Sequence, residues 1–169
     1  MYSEAPPKPA PQMFRTFEDL EVYRLAREFR KAMYAVTRKL PAHEKFELAS
    51  QIRRAAVSLT NNIAEGHGRY HFLDQIKFQL QARGSLVELI DDLNICSDEN
   101  YLPPNEIADL KKQATEVHQL INGYIRYLRE RKTGGDLQLR ESSSDCEISD
   151  KELDDALAEP IQQFNNSTI

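Results

Sequence analysis

The sequence lacks several features by which other classes of protein are identified. It has no tryptophan, only 2 cysteines and only 6 glycines in 169 residues. Two cysteines far apart in the chain do not suit a disulfide scaffold and fit a reducing compartment. No run of about 18 apolar residues occurs, so no membrane span is predicted, and the N-terminus lacks the basic-then-apolar layout of a secretory signal. The expected location is therefore cytoplasmic.

The motifs of catalysis and metal binding are also missing. There is no glycine-rich phosphate loop and no zinc-type spacing. His67 and His71 are four residues apart, but a glycine separates them and no third ligand follows, so exposed loop histidines are a better interpretation than a metal site. Cys96 has no histidine placed to activate it, and the adjacent Asp91 and Asp92 point apart on a helix, which is typical of a solvated helix end. We predict no enzyme activity, no metal and no cofactor.

Proline-free segments with helical periodicity make up most of what remains. The first is predicted to start at a Thr16 cap and to stop at Pro41, the second to start near Phe46, the third to run from about Tyr70 to Cys96, and the fourth to begin at Pro103 and Pro104. Their predicted buried residues recur every three or four positions. They are, in the first helix, Val22, Leu25, Phe29, Ala32, Val36 and Leu40; in the second, Leu48, Ile52, Ala55, Ala56, Leu59 and Ile63; in the third, Ile76, Leu80, Leu86 or Val87, Ile90 and Leu93; and in the fourth, Ile107, Leu110, Ala114, Val117, Ile121, Tyr124 and Leu128.

Long helices with short connections predict an all-α fold, an up-down-up-down antiparallel four-helix bundle. The predicted domains are a flexible, proline-rich leader over residues 1–16, the bundle over 17–132 and an acidic, mostly disordered tail over 133–169. Gly66 and Gly68 are expected to end the second helix in a left-handed conformation. Gly84 interrupts the third helix, which predicts close approach of a neighbouring helix.

Charge is distributed unevenly between the predicted bundle and the tail. The whole chain has a net charge of −5. Residues 17–132 contain 18 Lys/Arg and 17 Asp/Glu, whereas residues 133–169 contain 2 and 9, a balance of −7. The overall acidity therefore does not argue against an anionic partner of the bundle.

Two polar stripes run along the predicted helices. The first helix carries a basic stripe opposite its apolar face: Arg24, Arg27, Lys31 and Arg38. The second helix carries a mixed stripe: Arg54, Ser58, Asn62 and Glu65. Either stripe can be an ordinary solvated surface. Alternatively, the basic stripe contacts phosphates, with Arg53, Arg54 and Arg69 as further candidates, and Ser58, Asn62 and Glu65 form an interface with a subunit or partner.

Three segments carry a resemblance to a known family: 19–26 (DLEVYRLA), 51–69 (QIRRAAVS, then NIAEG and GR) and 82–89 (ARGSLVEL). Over about residues 15–132 the chain resembles the small bacterial four-helix-bundle proteins first found as products of intervening sequences in large-subunit ribosomal RNA genes. The resemblance implies a ring-shaped homopentamer with nucleic-acid binding. A related branch, the accessory variability determinant of diversity-generating retroelements, binds a reverse transcriptase and its RNA template. This chain departs from the family in having Thr60-Asn61 where Pro-Ser is common, and in its longer acidic tail.

Two main functions are therefore expected. The first is a cytoplasmic, non-catalytic, pentameric adaptor that binds nucleic acid, with structured RNA or an RNA/DNA hybrid as partner. The second is a protein-interaction module that serves as accessory subunit of a retroelement reverse transcriptase and contacts it through the polar stripe or the tail. A purely structural oligomer is a third interpretation, with neither partner.

Overall fold

A computed structural model of the chain describes residues 16–133. It contains four α-helices: α1 (Glu21–Lys39), α2 (Leu48–His67), α3 (Phe72–Asp98) and α4 (Pro104–Thr133). Two short 3₁₀ segments, Phe17–Asp19 and Ala42–Lys45, precede α1 and α2. Over this described range there is no strand, and no helix is long and apolar enough to cross a membrane. The leader and the acidic tail predicted from the sequence lie outside the described residues, apart from their inner ends.

Hydrogen bonds between helices show that neighbours run antiparallel. From one bonded pair to the next, the residue number rises in one helix and falls in its neighbour. The pairs are Arg30 with Thr60 and Thr37 with Arg53 between α1 and α2, and Arg83 with Asn122 and Asn94 with Lys111 between α3 and α4. Each helix packs against the next in the chain, and α4 packs back against α1, where Lys39 Nζ lies 2.6 Å from a carboxylate oxygen of Glu106. The predicted up-down-up-down bundle is confirmed.

The core is formed by the apolar faces of all four helices. All six residues predicted for the inner face of α2 are buried, as are six of the seven predicted for α4; Tyr124 is only partly buried. The largest fully buried side chains include Phe29 and Met33 from α1 and Leu86 and Leu93 from α3. Apolar periodicity thus identified the core-facing residues of α2 and α4. In α1, three of the six predicted residues are only partly buried and two buried residues were not predicted: Leu25, Ala32 and Leu40, and Ala26 and Met33, respectively.

The starts of α1 and α2 differ from the sequence-based expectation. Thr16 does form a capping box, in which its hydroxyl accepts from the Glu18 N–H at 3.2 Å and its own N–H donates to Asp19 at 3.1 Å. However, this box caps the first 3₁₀ segment, and α1 begins only at Glu21. In the same way α2 begins at Leu48, whose N–H donates to the Glu44 carboxylate at 3.1 Å.

Among the predicted roles of the glycines, only that of Gly68 as the residue that ends α2 is confirmed, and it does so without the left-handed conformation that was expected. Gly68 caps α2 with φ of −76°, and no glycine among the described residues has positive φ. Gly66 lies inside the last turn of α2, where an added Cβ would be 3.0 Å from the Phe78 Cβ and 3.3 Å from the Gln75 carbonyl oxygen. Its role is therefore close packing against α3. Conversely, among the described residues no atom lies within 4 Å of the position that a Cβ on Gly84 would take, so neither α1, α2 nor α4 approaches it.

The inner face of α3 was predicted only in part. Leu86 is buried and Val87 is 55% exposed, which settles the alternative between them, while Leu80 is 38% exposed against expectation. The reason is that α3 has apolar residues on two opposite sides, and periodicity alone does not say which side faces the core.

Candidate nucleic-acid interface

The segments of α1 and α2 that pack against each other are rich in cations and contain no acid. Residues 29–40 and 48–64 together hold six lysines and arginines and no aspartate or glutamate. Because α1 and α2 are antiparallel, these segments lie side by side. The surface along this helix pair therefore has a local positive charge that the near-neutral balance of the whole bundle conceals.

Three arginines of this helix pair are held by hydroxyl groups instead of carboxylates. Arg30 Nη1 donates to Thr60 Oγ1 at 2.8 Å, Arg53 Nε donates to Thr37 Oγ1 at 3.3 Å, and Arg54 Nη1 donates to Ser50 Oγ at 2.9 Å. A hydroxyl fixes the position of a guanidinium but leaves its charge uncompensated. Each of these arginines also keeps further N–H donors for another acceptor.

Arg38 is a fourth cation of this helix pair without a carboxylate partner. It is exposed, and within the described residues it makes no hydrogen bond or ion pair. We call Arg30, Arg38, Arg53 and Arg54 the arginine face. A groove on the α2 side of this face is formed mostly by polar residues, two of them cations. It is lined by Tyr34, Arg53, Arg54, Val57, Ser58, Asn61 and Asn62.

Other cations predicted to contact nucleic acid are paired with carboxylates. Arg24 contacts Asp19 at 3.4 Å, Lys31 contacts Glu28 at 2.7 Å, and Arg69 forms an ion pair with Glu65. The hydrogen bond from Lys31 lowers the pKa of Glu28. These pairs offset the positive charge of Arg24 and Lys31 in the basic stripe and of Arg69 just beyond α2, and exposed ion pairs of this kind contribute little to stability.

Arg27 and Arg69 have more complex surroundings. Arg27 is exposed and lines a groove near the start of α1 together with Arg24 and Glu28. The Arg69 guanidinium also lies over the Phe78 ring, 4.7 Å from its centroid. Neither is brought to the arginine face by the fold, so the predicted set is divided between the face and the opposite end of the helix pair.

The polar stripe of α2 is partly engaged within the chain. Asn62 Nδ2 donates to the Ser58 carbonyl oxygen at 2.9 Å and lies 3.1 Å from Ser58 Oγ, while Ser85 Oγ on α3 donates to Ser58 Oγ at 2.8 Å. Ser58 thus joins α2 to α3. A partner contact through Ser58, Asn62 and Glu65 stays a prediction.

The sequence analysis missed Arg30, which belongs to the arginine face. Its helical position lies between the exposed and the buried sides of α1, so a stripe drawn opposite the core omitted it. The signal that identifies it is the absence of acids over residues 29–40 and 48–64, together with the neutral partner that Thr60 provides.

A partly exposed polar cluster lies at the end of the bundle where the α1–α2 and α3–α4 connections meet. The Tyr101 hydroxyl donates to Glu44 Oε1 at 2.9 Å and lies 3.3 Å from His43 Nε2. Burial, followed by the negative charge of nearby Asp92, raises the pKa of the Cys96 thiol to about 11. This thiol is therefore protonated at neutral pH and does not act as a nucleophile.

Metal ligands do not converge on any point of the described part of the chain. Over residues 16–131 no group of three or more histidine, cysteine or carboxylate side chains is placed to hold an ion. The arrangement that remains is an arginine-rich face with free guanidinium donors, which suits contact with phosphate oxygens.

Comparison with known proteins adds the family. The family model of the 23S rRNA-intervening sequence protein matches residues 18–123. Solved structures similar to this chain include the crystal structure of a protein of unknown function from the S23 ribosomal protein family of Bacteroides thetaiotaomicron, with 22% sequence identity and a TM-score of 0.58 over 62% of this chain and 95% of that one. No curated protein matches. At this identity the structural likeness concerns the fold alone, whereas the family model covers most of the bundle, and the chain therefore belongs to the 23S rRNA-intervening sequence protein family.

Proposed function

We propose that this protein is a cytoplasmic, non-catalytic, oligomeric adaptor that binds structured RNA through the arginine face. The observation that carries the proposal is the arginine face itself, four arginines on the packed segments of α1 and α2 that have no carboxylate partner within the described residues, three of them held by neutral hydroxyls. Phosphate contacts of this kind supply sequence-independent affinity and orient the protein on the nucleic acid.

An oligomer multiplies the effect of such a face. The resemblance to the family implies a ring of five copies, and five arginine faces bound to one RNA act together through a high effective concentration. A single bundle with four such arginines is then expected to bind RNA weakly, and the assembled form strongly. Binding that depends on protein assembly is part of the proposal.

The first experiment is a salt titration of binding between the full chain and a structured RNA. The logarithm of the affinity should fall linearly with the logarithm of the salt concentration, and the slope estimates the number of phosphates contacted. The double variant R38E/R54E should lower the affinity at least about tenfold and reduce the slope, by about one for each lost contact.

A matched control is Lys112→Glu. Lys112 is an exposed cation on α4, outside the arginine face, so its reversal should change RNA affinity far less than the double variant does. An equal loss of RNA affinity in both variants would show that only the overall charge matters and would contradict RNA binding by the arginine face. A separate double variant, R27E/K31E, tests whether the part of the stripe beside Glu28 contributes.

The second candidate function is that of an accessory subunit of a reverse transcriptase. It is favoured by the side chains of the α2 groove that remain open to a partner, among them exposed Asn61. This function predicts little RNA affinity for the protein alone and co-purification with a polymerase. Absence of RNA binding even at low salt would therefore favour this candidate over the first.

A further inference from the structure

The side of α3 that faces away from the core is apolar. Four large apolar side chains stand exposed on it, with exposed fractions of 44%, 38%, 55% and 39% for Leu73, Leu80, Val87 and Ile95. Between them lie Lys77, Gly84 and Asp91, which are exposed as well. We call these seven residues the outer face of α3. They follow one another at steps of three and four, the spacing of a helix seam, over about 33 Å at 1.5 Å per residue.

Gly84 lies at the centre of this face and packs against no other helix within residues 16–133. No atom lies within 4 Å of the place that its Cβ would occupy, and a glycine inside a helix is less favourable than an alanine. A residue without a side chain between Leu80 and Val87 leaves the backbone open to close approach by another helix. No helix within residues 16–133 takes this place, so the position is open to a helix from outside that range or from another molecule.

The charges of the outer face indicate which molecule that is. Lys77 lies seven residues before Gly84 and Asp91 lies seven residues after it. Within the described residues neither forms an ion pair, and the only bond at Asp91 is from the Asn94 amide at 3.4 Å. A second α3, placed antiparallel with its Gly84 against this Gly84, puts each lysine opposite an aspartate.

The same superposition also matches the apolar residues. Leu73 then meets Ile95 of the second copy, and Leu80 meets its Val87, because each pair is nearly equidistant from Gly84 in the sequence. A parallel arrangement would instead place lysine against lysine and aspartate against aspartate, which is unfavourable. We propose that the outer face of α3 binds the same face of a second copy of this chain, antiparallel about a two-fold axis at Gly84.

This contact uses none of the residues that are proposed to bind RNA. It lies on α3, whereas the arginine face lies on α1 and α2. It is also distinct from a five-membered ring, because a ring is built from head-to-tail interfaces and contains no two-fold contact within itself. The contact pairs two protomers directly, or joins two rings face to face.

A charge-reversal cycle on the full chain tests the proposal by sedimentation equilibrium. Lys77→Asp and Asp91→Lys should each weaken self-association about tenfold or more, because the two-fold axis makes every substitution occur twice. The double variant K77D/D91K should restore association to within about threefold of the original chain. Lys112→Asp, the same charge change on α4, should leave it unchanged. A monomeric original chain, or a double variant no better than the single ones, overturns the proposal.

A cysteine at the axis gives a second measurement. In a Cys146→Ser background, Gly84→Cys should form a covalent dimer with oxidised glutathione as oxidant, since two copies of this residue meet at the axis. The control is Gly123→Cys on α4, a helical glycine with equally open surroundings; it should stay monomeric on a denaturing gel. Cys96 is buried and does not compete. No crosslink at residue 84, or equal crosslinking at both, excludes the two-fold contact. RNA affinity plays no part in either readout, so a failure here leaves the proposed function standing.

Discussion

Asp92 is a buried carboxyl group whose charged form destabilises the folded protein. Sequence reasoning placed it with Asp91 on a solvated helix end, but only Asp91 is exposed; Asp92 is 6% exposed, on the core side of α3. Burial, followed by the charges of Asp91 and Glu88, raises the pKa of the Asp92 carboxyl to about 6. The carboxylate form of Asp92 is therefore destabilising in the folded protein.

This raised pKa makes the stability of the bundle pH-dependent. The folded chain binds the Asp92 proton more tightly than the unfolded chain, whose carboxyl has a pKa of about 3.9. The free energy of unfolding should thus fall as the pH rises from about 4 to about 6, by up to roughly 3 kcal/mol from this group. Asp92→Asn should raise stability at pH 7.5 by about 1–2 kcal/mol and change it little at pH 4, measured by urea denaturation.

The matched control for that measurement is Asp98→Asn. Asp98 is an exposed carboxylate on the last turn of the same helix, so its neutralisation should affect stability by no more than about 0.5 kcal/mol at either pH. An Asp92→Asn variant that is equally stabilised at pH 4 and pH 7.5 would contradict the linkage.

At the scale of the helices, Gly66 sets how closely α2 and α3 approach. Replacing it by alanine places a Cβ 3.0 Å from the Cβ of Phe78 and 3.1 Å from Nε2 of Gln79. Neither the Phe78 Cβ nor the backbone of α3 can move independently, so the helices must separate. Gly66→Ala should lower the free energy of unfolding by about 1–3 kcal/mol in urea denaturation.

Gly123→Ala is the comparison that isolates this packing effect. No atom lies within 4 Å of the Cβ position at Gly123, so the substitution should raise stability by up to about 1 kcal/mol through helix propensity alone. The two alanine variants should therefore change stability in opposite directions. If both stabilise the protein, Gly66 has no packing role.

The helices also show what a sequence can and cannot predict. The seam of α4 was predicted almost completely because its apolar residues lie on one side, from Ile107 to Leu128. In α3 the same reasoning placed Leu80 in the core and left Leu86 and Val87 undecided, since apolar residues occupy two sides. Close packing was predicted at Gly84 but occurs at Gly66, because the sequence does not show which groups lie beside a glycine in the folded chain.

The candidate site follows the same distinction. Arg38, Arg53 and Arg54 were identified from the sequence, because helical spacing and exposure indicate which cations reach a surface. The difference between Arg30, held by a threonine hydroxyl, and Lys31, paired with Glu28, depends on which groups of a neighbouring helix or turn lie within reach. That information is available only from the folded chain.

For the whole molecule, the separation of charge between bundle and tail leads to a further expectation. Residues 133–169 have a net charge of −7 and are tethered to a domain with the arginine face. We expect these residues to compete with phosphate for the same cations, mainly at low ionic strength, where charges act over longer distances. Removing residues 134–169 should tighten binding to structured RNA, with a larger gain at about 50 mM salt than at 200 mM, in the same titration that tests the function.

A variant whose tail keeps its length but loses its acidic residues separates the effect of charge from the effect of shortening the chain. A tail of the same length, with its nine aspartates and glutamates replaced by asparagine and glutamine, should bind RNA as tightly as the truncated chain does. Unchanged or weaker binding by both variants would show that the tail does not compete with RNA.

The order in which the helices pack bears on how quickly the chain reaches this structure. Each helix packs against its neighbour in the sequence, and among the described residues the contacts between distant parts of the chain include the α1–α4 contact, with the Lys39–Glu106 pair, and the Tyr101–Glu44 hydrogen bond. Loops between sequence neighbours cost little entropy to close, and folds dominated by such local contacts reach the native state in microseconds to milliseconds. A growing chain can therefore pair α2 with α3 while α4 is still being synthesised, so the Gly66 contact can form before the bundle closes.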